Sequence, residues 1–314
     1  MAQPIVHIIG RGVIGSLLAQ RVSTAQYPVR QYHHRRNKHL ILPNIQIQQL
    51  DTTCITLPTT QCLPGQPAQL DGLVIIPIKA YQIYDVLLEL QDKLAPTATI
   101  VLMHNGMGCI EVAQEVFPNN VIIAATTTMA GFRDNHTIVH TAKGQCQLGY
   151  VNQPQHKQQY EHPPLQLQDM INHILPDPTW HDDILPALYT KLVINCVINP
   201  LTAIHNIANG QLAEPEYKVL LEPIIAEVIA VATAQGVKLN KEQLLEQVQG
   251  VIASTANNYS SMQQDVAHGR RTEIEHINGY VVQLGQRHGI AVPENQALFD
   301  AICGLTTKCA SPFS

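Results

Sequence analysis

Residues 4–15, Pro-Ile-Val-His-Ile-Ile-Gly-Arg-Gly-Val-Ile-Gly, decide the fold of the first half of this chain. Residues 4–9 form a short apolar run that reads as a buried strand. The glycines Gly10, Gly12 and Gly15 follow at G-x-G-x-x-G spacing, and a helical pattern runs from Val13 to about Ser23. Strand, glycine turn and helix are the context in which that spacing carries meaning. Gly10 allows the tight turn, Gly12 lets a pyrophosphate approach the backbone, and Gly15 lets the helix pack close to the strand. The free N–H groups and positive end of the helix then face the phosphates. Residues Gly10, Arg11, Gly12, Val13, Ile14 and Gly15 are therefore the expected dinucleotide contacts.

Outward from this turn, the second strand is expected at about 28–33. An NAD site would end it with an acid to bind the ribose 2′-hydroxyl, yet no Asp or Glu occurs before Asp51. The strand runs instead into His33-His34-Arg35-Arg36-Asn37-Lys38. A 2′-phosphate suits a guanidinium fork, so NADP(H) is the expected cofactor, held by Arg35 or Arg36. Short strands are expected at Ile45–Leu50 and Cys54–Leu57. Residues 71–78 read as a buried parallel strand with Lys79 at its exit, and Thr99–Met103 as the next, with Asn105 in its exit turn. Ligands bind at the carboxyl ends of such strands, so Lys79 and Asn105 are site candidates. Short strands to residue 149 are expected to continue the sheet antiparallel.

The polar, proline-flanked stretch 151–164 marks a seam. Beyond it the pattern is helical: 165–175, 184–199, 217–235, 241–256, 272–288 and 294–309. The expected fold is α/β, a Rossmann-type dinucleotide-binding domain over 1–164 and an all-helical domain over 165–314.

One of these helices stands out. The run 186–199 is apolar almost all round, yet Lys191, Asn195 and Asn199 recur at i, i+4 and i+8, stacked on one face. A buried cation and two amides must be met by protein or by ligand, because an unpaired buried charge costs several kcal/mol or more. A structural seam, with Lys191 paired to Glu273 and the amides capping helices, would also produce the stripe. Pro200 is expected to end or kink the helix after Asn199.

The 314 residues suffice for two domains; 45% are hydrophobic and 14% charged, as in a globular protein. A net charge of −5 argues against nucleic acid as a partner. No apolar run is read as approaching a membrane span. A strand beginning near Pro4 leaves no room for a signal peptide, and seven cysteines without a C-x-x-C pair are read as free thiols of a cytoplasmic protein. Cys109 and Cys196 are read as small apolar fillers. The 15 histidines show no metal-ligand spacing, so no metal is expected.

Taken together, the motifs Gly10-x-Gly12-x-x-Gly15, Ile78-Lys79-Ala80-Tyr81-Gln82, His104-Asn105-Gly106-Met107-Gly108, Lys191-Leu-x-x-Asn195-x-x-x-Asn199-Pro200-Leu201-Thr202-Ala203 and Ser260-Ser261-Met262-x-Gln264-Asp265, with Arg271-Thr272-Glu273-Ile274-Glu275, resemble ketopantoate reductase from the first strand to about residue 300. The resemblance implies NADPH-dependent reduction of ketopantoate to pantoate in pantothenate synthesis, with the cofactor held between a Rossmann and a helical domain. It implies a catalytic lysine at Lys191 with Glu273 as acidic partner. It implies substrate contacts at Asn195, Asn199, Asn209 and Ser261, and further roles for Lys79 and Asn105. Two departures are visible: His104 stands where the family often has glutamine, and the basic loop places its arginine one residue late, which leaves Arg35 and Arg36 both open. The partner is a small molecule, and the protein a monomer or homodimer. A reductase of another branched 2-oxo acid and a non-catalytic NADPH-binding sensor are the rival readings. A sensor would be expected to lose Lys191 or Glu273, and both are present.

Overall fold

The computed structural model describes residues 4–33, 44–57, 61–62, 69–151 and 165–306. The chain divides into two compact units: Met1–His104 with Cys109–Ile184, and Asn105–Gly108 with Leu185–Ser314.

The first unit is built on an eight-stranded sheet. Its strands are β1 (Val6–Ile9), β2 (Val29–His33), β5 (Gln61–Cys62), β6 (Leu73–Ile76), β7 (Thr99–Leu102), β8 (Val121–Thr127), β11 (Cys146–Tyr150) and β12 (Pro178–His181). The spatial order is β12-β11-β8-β7-β6-β1-β2-β5. From β5 to β8 every pairing is parallel, while β11 joins β8 antiparallel. Every residue of β1, β6 and β7 is buried, which is why these strands read as continuous apolar runs and not as alternation. Helices α1 (Val13–Thr24), α2 (Ile83–Leu90), α3 (Cys109–Val116) and α4 (Leu165–Ile174) belong to this unit. The core gathers Val6, Ile8, Leu17, Leu18, Ile75 and Met170.

Two expectations for this unit are corrected. The strands β9 (Ala130–Asp134) and β10 (Thr137–Ala142) do not continue the main sheet. They join β3 (Ile45–Gln48) and β4 (Cys54–Leu57) in a second sheet ordered β4-β3-β10-β9, which packs against α1. Nor does the unit end at residue 164. The strand β12 pairs parallel with β11, Trp180 stacks on Tyr150 with centroids 5.5 Å apart, and Arg21 of α1 donates to the Ile174 carbonyl that ends α4. Those contacts carry the unit to Ile184. A four-residue edge strand opening on proline gives little sequence signal.

The second unit is helical: α5 (Leu185–His205), α6 (Pro215–Ala234), α7 (Lys241–Ser254), α8 (Ser261–Ala267), α9 (Asn278–His288) and α10 (Pro293–Leu305). The helix α5 packs against α6, α7, α8 and α10. It is long and apolar enough to cross a membrane by length and composition, which the sequence reading missed, but 67% of its most apolar stretch is buried within the protein.

Pro200 does not end α5, which runs on to His205. Proline at 200 deprives the Cys196 carbonyl of its helical donor. The amide nitrogen of buried Asn278 takes that place at 3.1 Å. One turn on, Thr202 Oγ1 lies 2.7 Å from the Ile198 carbonyl and 2.8 Å from Ser260 Oγ. The helix ends where Asn206 takes a positive φ of 53°. The expected 272–288 helix is also divided: a short 3-10 turn covers Ile274–His276, and α9 begins at Asn278. Among the cysteines, Cys54, Cys109, Cys146 and Cys196 are free, but Cys303 is disulfide-bonded, against the reading of free thiols throughout.

Candidate active site

The candidate residues are divided between the two units. In the sheet unit, β1 lies between β2 and β6, so chain connections leave it in both directions. This is the switch point of a doubly wound sheet, where ligands bind beyond the carboxyl ends of the strands. The glycine turn leaves β1 at that point, and Lys79 follows β6 in extended backbone, half-buried.

Each glycine has a distinct reason. Gly10 has φ 143°, and a Cβ there would stand 2.7 Å from Ile78 Cγ2. A Cβ on Gly15 would be 2.4 Å from the Gly10 carbonyl oxygen, so the helix can lie this close to the strand only without one. Gly12 is different: it is exposed, and a Cβ on it would meet nothing within 4 Å. The fold does not require glycine there, whereas a ligand pressing on the backbone would. Gly12 is also the N-cap of α1, with no side-chain cap and no acid in the first turn. The first N–H groups of α1 therefore lack a side-chain acceptor, and the turn fits an anionic pyrophosphate.

Two side chains that the sequence did not single out brace this turn. Gln31 Nε2 donates to the Gly10 carbonyl at 2.9 Å. Arg133 Nη2, on β9, donates to the Arg11 carbonyl at 2.8 Å. Because a trans peptide sets its C=O and N–H on opposite sides, fixing the Arg11 carbonyl also fixes the Gly12 N–H pointing the other way. Arg133 is 122 residues from Arg11, and only the packing of β9 on α1 brings them together. Arg35 and Arg36 lie outside the described residues.

The helical unit gathers the other candidates. Lys191 and Asn195 are half-buried one turn apart on α5, and Asn199 is buried one turn further. Asn195 Nδ2 is buried and has no hydrogen-bond partner among the described residues. Asn209, buried in the 3-10 turn Asn209–Ala213, donates from Nδ2 to Thr255 Oγ1 at 2.9 Å, while its Oδ1 is buried without a partner. One orphan donor and one orphan acceptor are thus present, at residues expected to meet a ligand. Buried polar atoms are almost always paired in folded proteins, so each calls for an occupant. Ser261 is exposed at the start of α8, directly after Ser260, whose Oγ accepts from the Gln263 N–H.

Glu273 is buried just ahead of the 3-10 turn, not inside a helix. It accepts from Asn105 Nδ2 at 3.3 Å. The 105–108 turn clusters with the helical unit although the sequence places it at the exit of a sheet strand. The Met107 N–H donates to the His276 carbonyl at 2.8 Å. Gly106 has φ 83°, and a Cβ on it would lie 2.4 Å from that same carbonyl. Glycine at 106 is therefore the condition for Asn105 to reach Glu273. His276 Nδ1 lies 3.2 Å from the Met107 carbonyl, and burial lowers its pKa. Two further acids are buried and ion-paired: Asp265 with Arg270 at 2.8 Å and Glu275 with Arg271 at 2.6 Å. Among the described residues no group of three or more His, Cys, Asp or Glu side chains could hold a metal.

Family models described as ketopantoate reductase PanE/ApbA and its C-terminal domain match residues 6–153 and 183–305. The 2-dehydropantoate 2-reductase of Vibrio cholerae serotype O1 is 36% identical over 301 residues, covering 94% of this chain and 95% of that protein. The chain belongs to the ketopantoate reductase family. A second family member, the 2-dehydropantoate 2-reductase of Escherichia coli O157:H7, is 40% identical over 230 residues, 73% of each chain. The fold is shared more widely. The ketopantoate reductase structure from Ralstonia eutropha JMP134 has TM-score 0.80 at 22% identity over 96% of this chain and 98% of its own. A D-mandelate dehydrogenase with NADH and anilino(oxo)acetate has TM-score 0.84 at 19% identity over 96% and 97%.

Proposed function

We propose that this protein is an NADPH-dependent 2-dehydropantoate 2-reductase, reducing ketopantoate to pantoate for pantothenate synthesis in the cytoplasm, as a monomer or a homodimer. The observation that carries the reading is the pair of orphaned buried amide atoms, Asn195 Nδ2 and Asn209 Oδ1, in the unit that also holds Lys191 and Glu273. A substrate with a 2-oxo acid at one end and a hydroxyl at the other offers both an acceptor and a donor to such atoms.

The reduced nicotinamide supplies the hydride. The chain's own residues do the rest. The N–H groups at Gly12 and the start of α1 bind the pyrophosphate, with Lys79 an added cation beyond β6. The 2′-phosphate falls to Arg35 or Arg36. Ser261 binds the substrate carboxylate, while Asn195, Asn199 and Asn209 fix the remainder of the molecule. As the ketone carbon gains its new C–H bond, the carbonyl π electrons settle on oxygen. Lys191 Nζ stabilises that developing alkoxide and then gives it a proton, as electrostatic partner and general acid. Glu273, held by Asn105, orients the ammonium or accepts the substrate hydroxyl.

The decisive measurement is NADPH oxidation, followed by absorbance, with ketopantoate and a panel of other 2-oxo acids, repeated with NADH. Fast turnover on ketopantoate with NADPH ahead of NADH is expected. Turnover only on another acid keeps the mechanism and discards the substrate. Tight NADPH binding without any turnover indicates a sensor.

A further inference from the structure

Pro200 sits inside α5 directly after Asn199, the last member of the proposed substrate stripe, and the backbone bond it removes belongs to the turn between Asn195 and Asn199. Residue 200 would normally donate its N–H to the carbonyl of Cys196. Proline cannot, and Cys196 is fully buried, away from bulk solvent. Asn278, itself 0% exposed, fills the gap with its side-chain amide at 3.1 Å. The same amide nitrogen lies 3.0 Å from Asn295 Oδ1. Asn295 Nδ2 in turn donates to Glu227 Oε2 at 2.8 Å, and the Glu227 carboxylate accepts the Glu294 and Asn295 N–H groups at the start of α10. The Cys196 carbonyl is thus tied through three side chains to α6, α9 and α10.

The placement matters because of what flanks it. Cys196 directly follows Asn195, and Pro200 directly follows Asn199. A helix that lacks a rung can bend at that rung. The local helix geometry at that rung sets how Asn199 stands relative to Lys191 and Asn195. Asn278 also lies five residues after Glu273, joined to it by the 3-10 turn Ile274–His276. The bond from Asn278 to Cys196 therefore restrains α5 at the missing rung and ties that rung to the segment that follows Glu273.

We propose that Asn278 is a positioning residue for ketopantoate reduction: it replaces the hydrogen bond that Pro200 removes, and so sets the geometry of the Lys191–Asn195–Asn199 stripe. This rests on the reading of that stripe as the substrate-binding surface. Asn278 touches neither substrate nor cofactor.

The test is a double-mutant cycle in the full chain. Asn278→Leu removes the donor, and Pro200→Ala gives position 200 an N–H of its own, which makes the donor dispensable. Asn278→Leu alone should raise KM for ketopantoate about tenfold or more and lower kcat, with KM for NADPH within about twofold of the parent. In the Pro200→Ala background the same substitution should change ketopantoate KM by about threefold or less. An equal penalty in both backgrounds overturns the proposal, as does an Asn278→Leu protein of lowered Tm with unchanged ketopantoate KM. Should Asn278→Leu give no folded protein, Asn278→Ser carries the same cycle, since its shorter side chain also falls short of the carbonyl. Asn195→Ala and Asn199→Ala, measured alongside, separate the two ideas. If they leave ketopantoate KM unchanged, the stripe itself was misassigned and the role of Asn278 falls with it. If they raise it and the cycle shows no suppression, only the positioning role fails.

Discussion

The glycine turn at 10–15 and the helix α5 are both candidate ligand surfaces, and they are made in opposite ways. The turn works by leaving side chains out. Gly10 and Gly15 let strand and helix meet, Gly12 bares the backbone, and the groups offered are main-chain N–H. The helix works by keeping its backbone satisfied, down to the substitute bond from Asn278, and by presenting polar side chains, among them the buried and unpaired Asn195 Nδ2. Backbone recognition is therefore sensitive to any added Cβ, and side-chain recognition to the loss of one functional group.

That contrast can be broken or sharpened, starting where the effect is largest. Lys191→Ala should lower kcat about a thousandfold, since general-acid and electrostatic assistance are lost together, with far-UV circular dichroism unchanged. Near-normal turnover would remove the proposed chemistry from α5. Gly15→Ala should act on the other surface and on folding, not on rate: its Cβ would stand 2.4 Å from a backbone oxygen that cannot step aside. A loss of about 3 kcal/mol in urea unfolding is expected, in the range for core overpacking. Gly12→Ala is the informative partner, because its Cβ has open space and its φ of −72° suits alanine. It should fold like the parent and bind NADPH about tenfold more weakly by fluorescence titration, the cost of a methyl group where a phosphate must approach. Unchanged affinity would mean that glycine 12 serves neither fold nor ligand. Arg133→Met should raise the NADPH Kd about fivefold and leave ketopantoate KM alone, since a charge-assisted bond to the Arg11 carbonyl is lost while the helical unit is untouched.

The smallest effect concerns pH. His7, at the start of the sheet unit, donates from Nε2 to the Asp71 carbonyl and accepts the Tyr32 hydroxyl at Nδ1, at 2.9 and 3.1 Å. Burial, first of all, lowers its pKa and that of His276 below the ordinary 6.5. The unfolded chain then binds more protons than the folded one just below that value. Stability from both residues is present above about pH 6.5 and is lost as pH falls through the lowered folded values. Thermal melts from about pH 7.5 to about pH 5 should show a falling Tm, and the fall should be shallower in His7→Asn. A flat profile in the parent would contradict the buried-neutral assignment.

Much of this molecule is legible in the order of its residues, and the reason is locality. Parallel strands buried on both faces read as apolar runs, and the glycine spacing reads as a turn because its contacts lie within a few positions. The stripe of Lys191, Asn195 and Asn199 is visible because a helix repeats every 3.6 residues. The contrast with Asn105 marks where that legibility stops. Its sequence position says sheet exit, yet Gly106 and the His276 carbonyl, 170 residues apart, place it on Glu273. Short β12, with a proline at its head, is recognisable only through its neighbour β11. Pro200 reads as a helix stop or kink because the rule for proline assumes that the lost bond stays lost. Asn278, 82 residues from Cys196, restores it. The sequence by itself determined the α/β class, the glycine turn and the polar stripe, all set by periodicity and short-range sterics. The tertiary structure alone decided which sheet β9 and β10 join, where the units divide, and which buried polar atoms stay unpaired, because each depends on partners that meet only after the chain has folded.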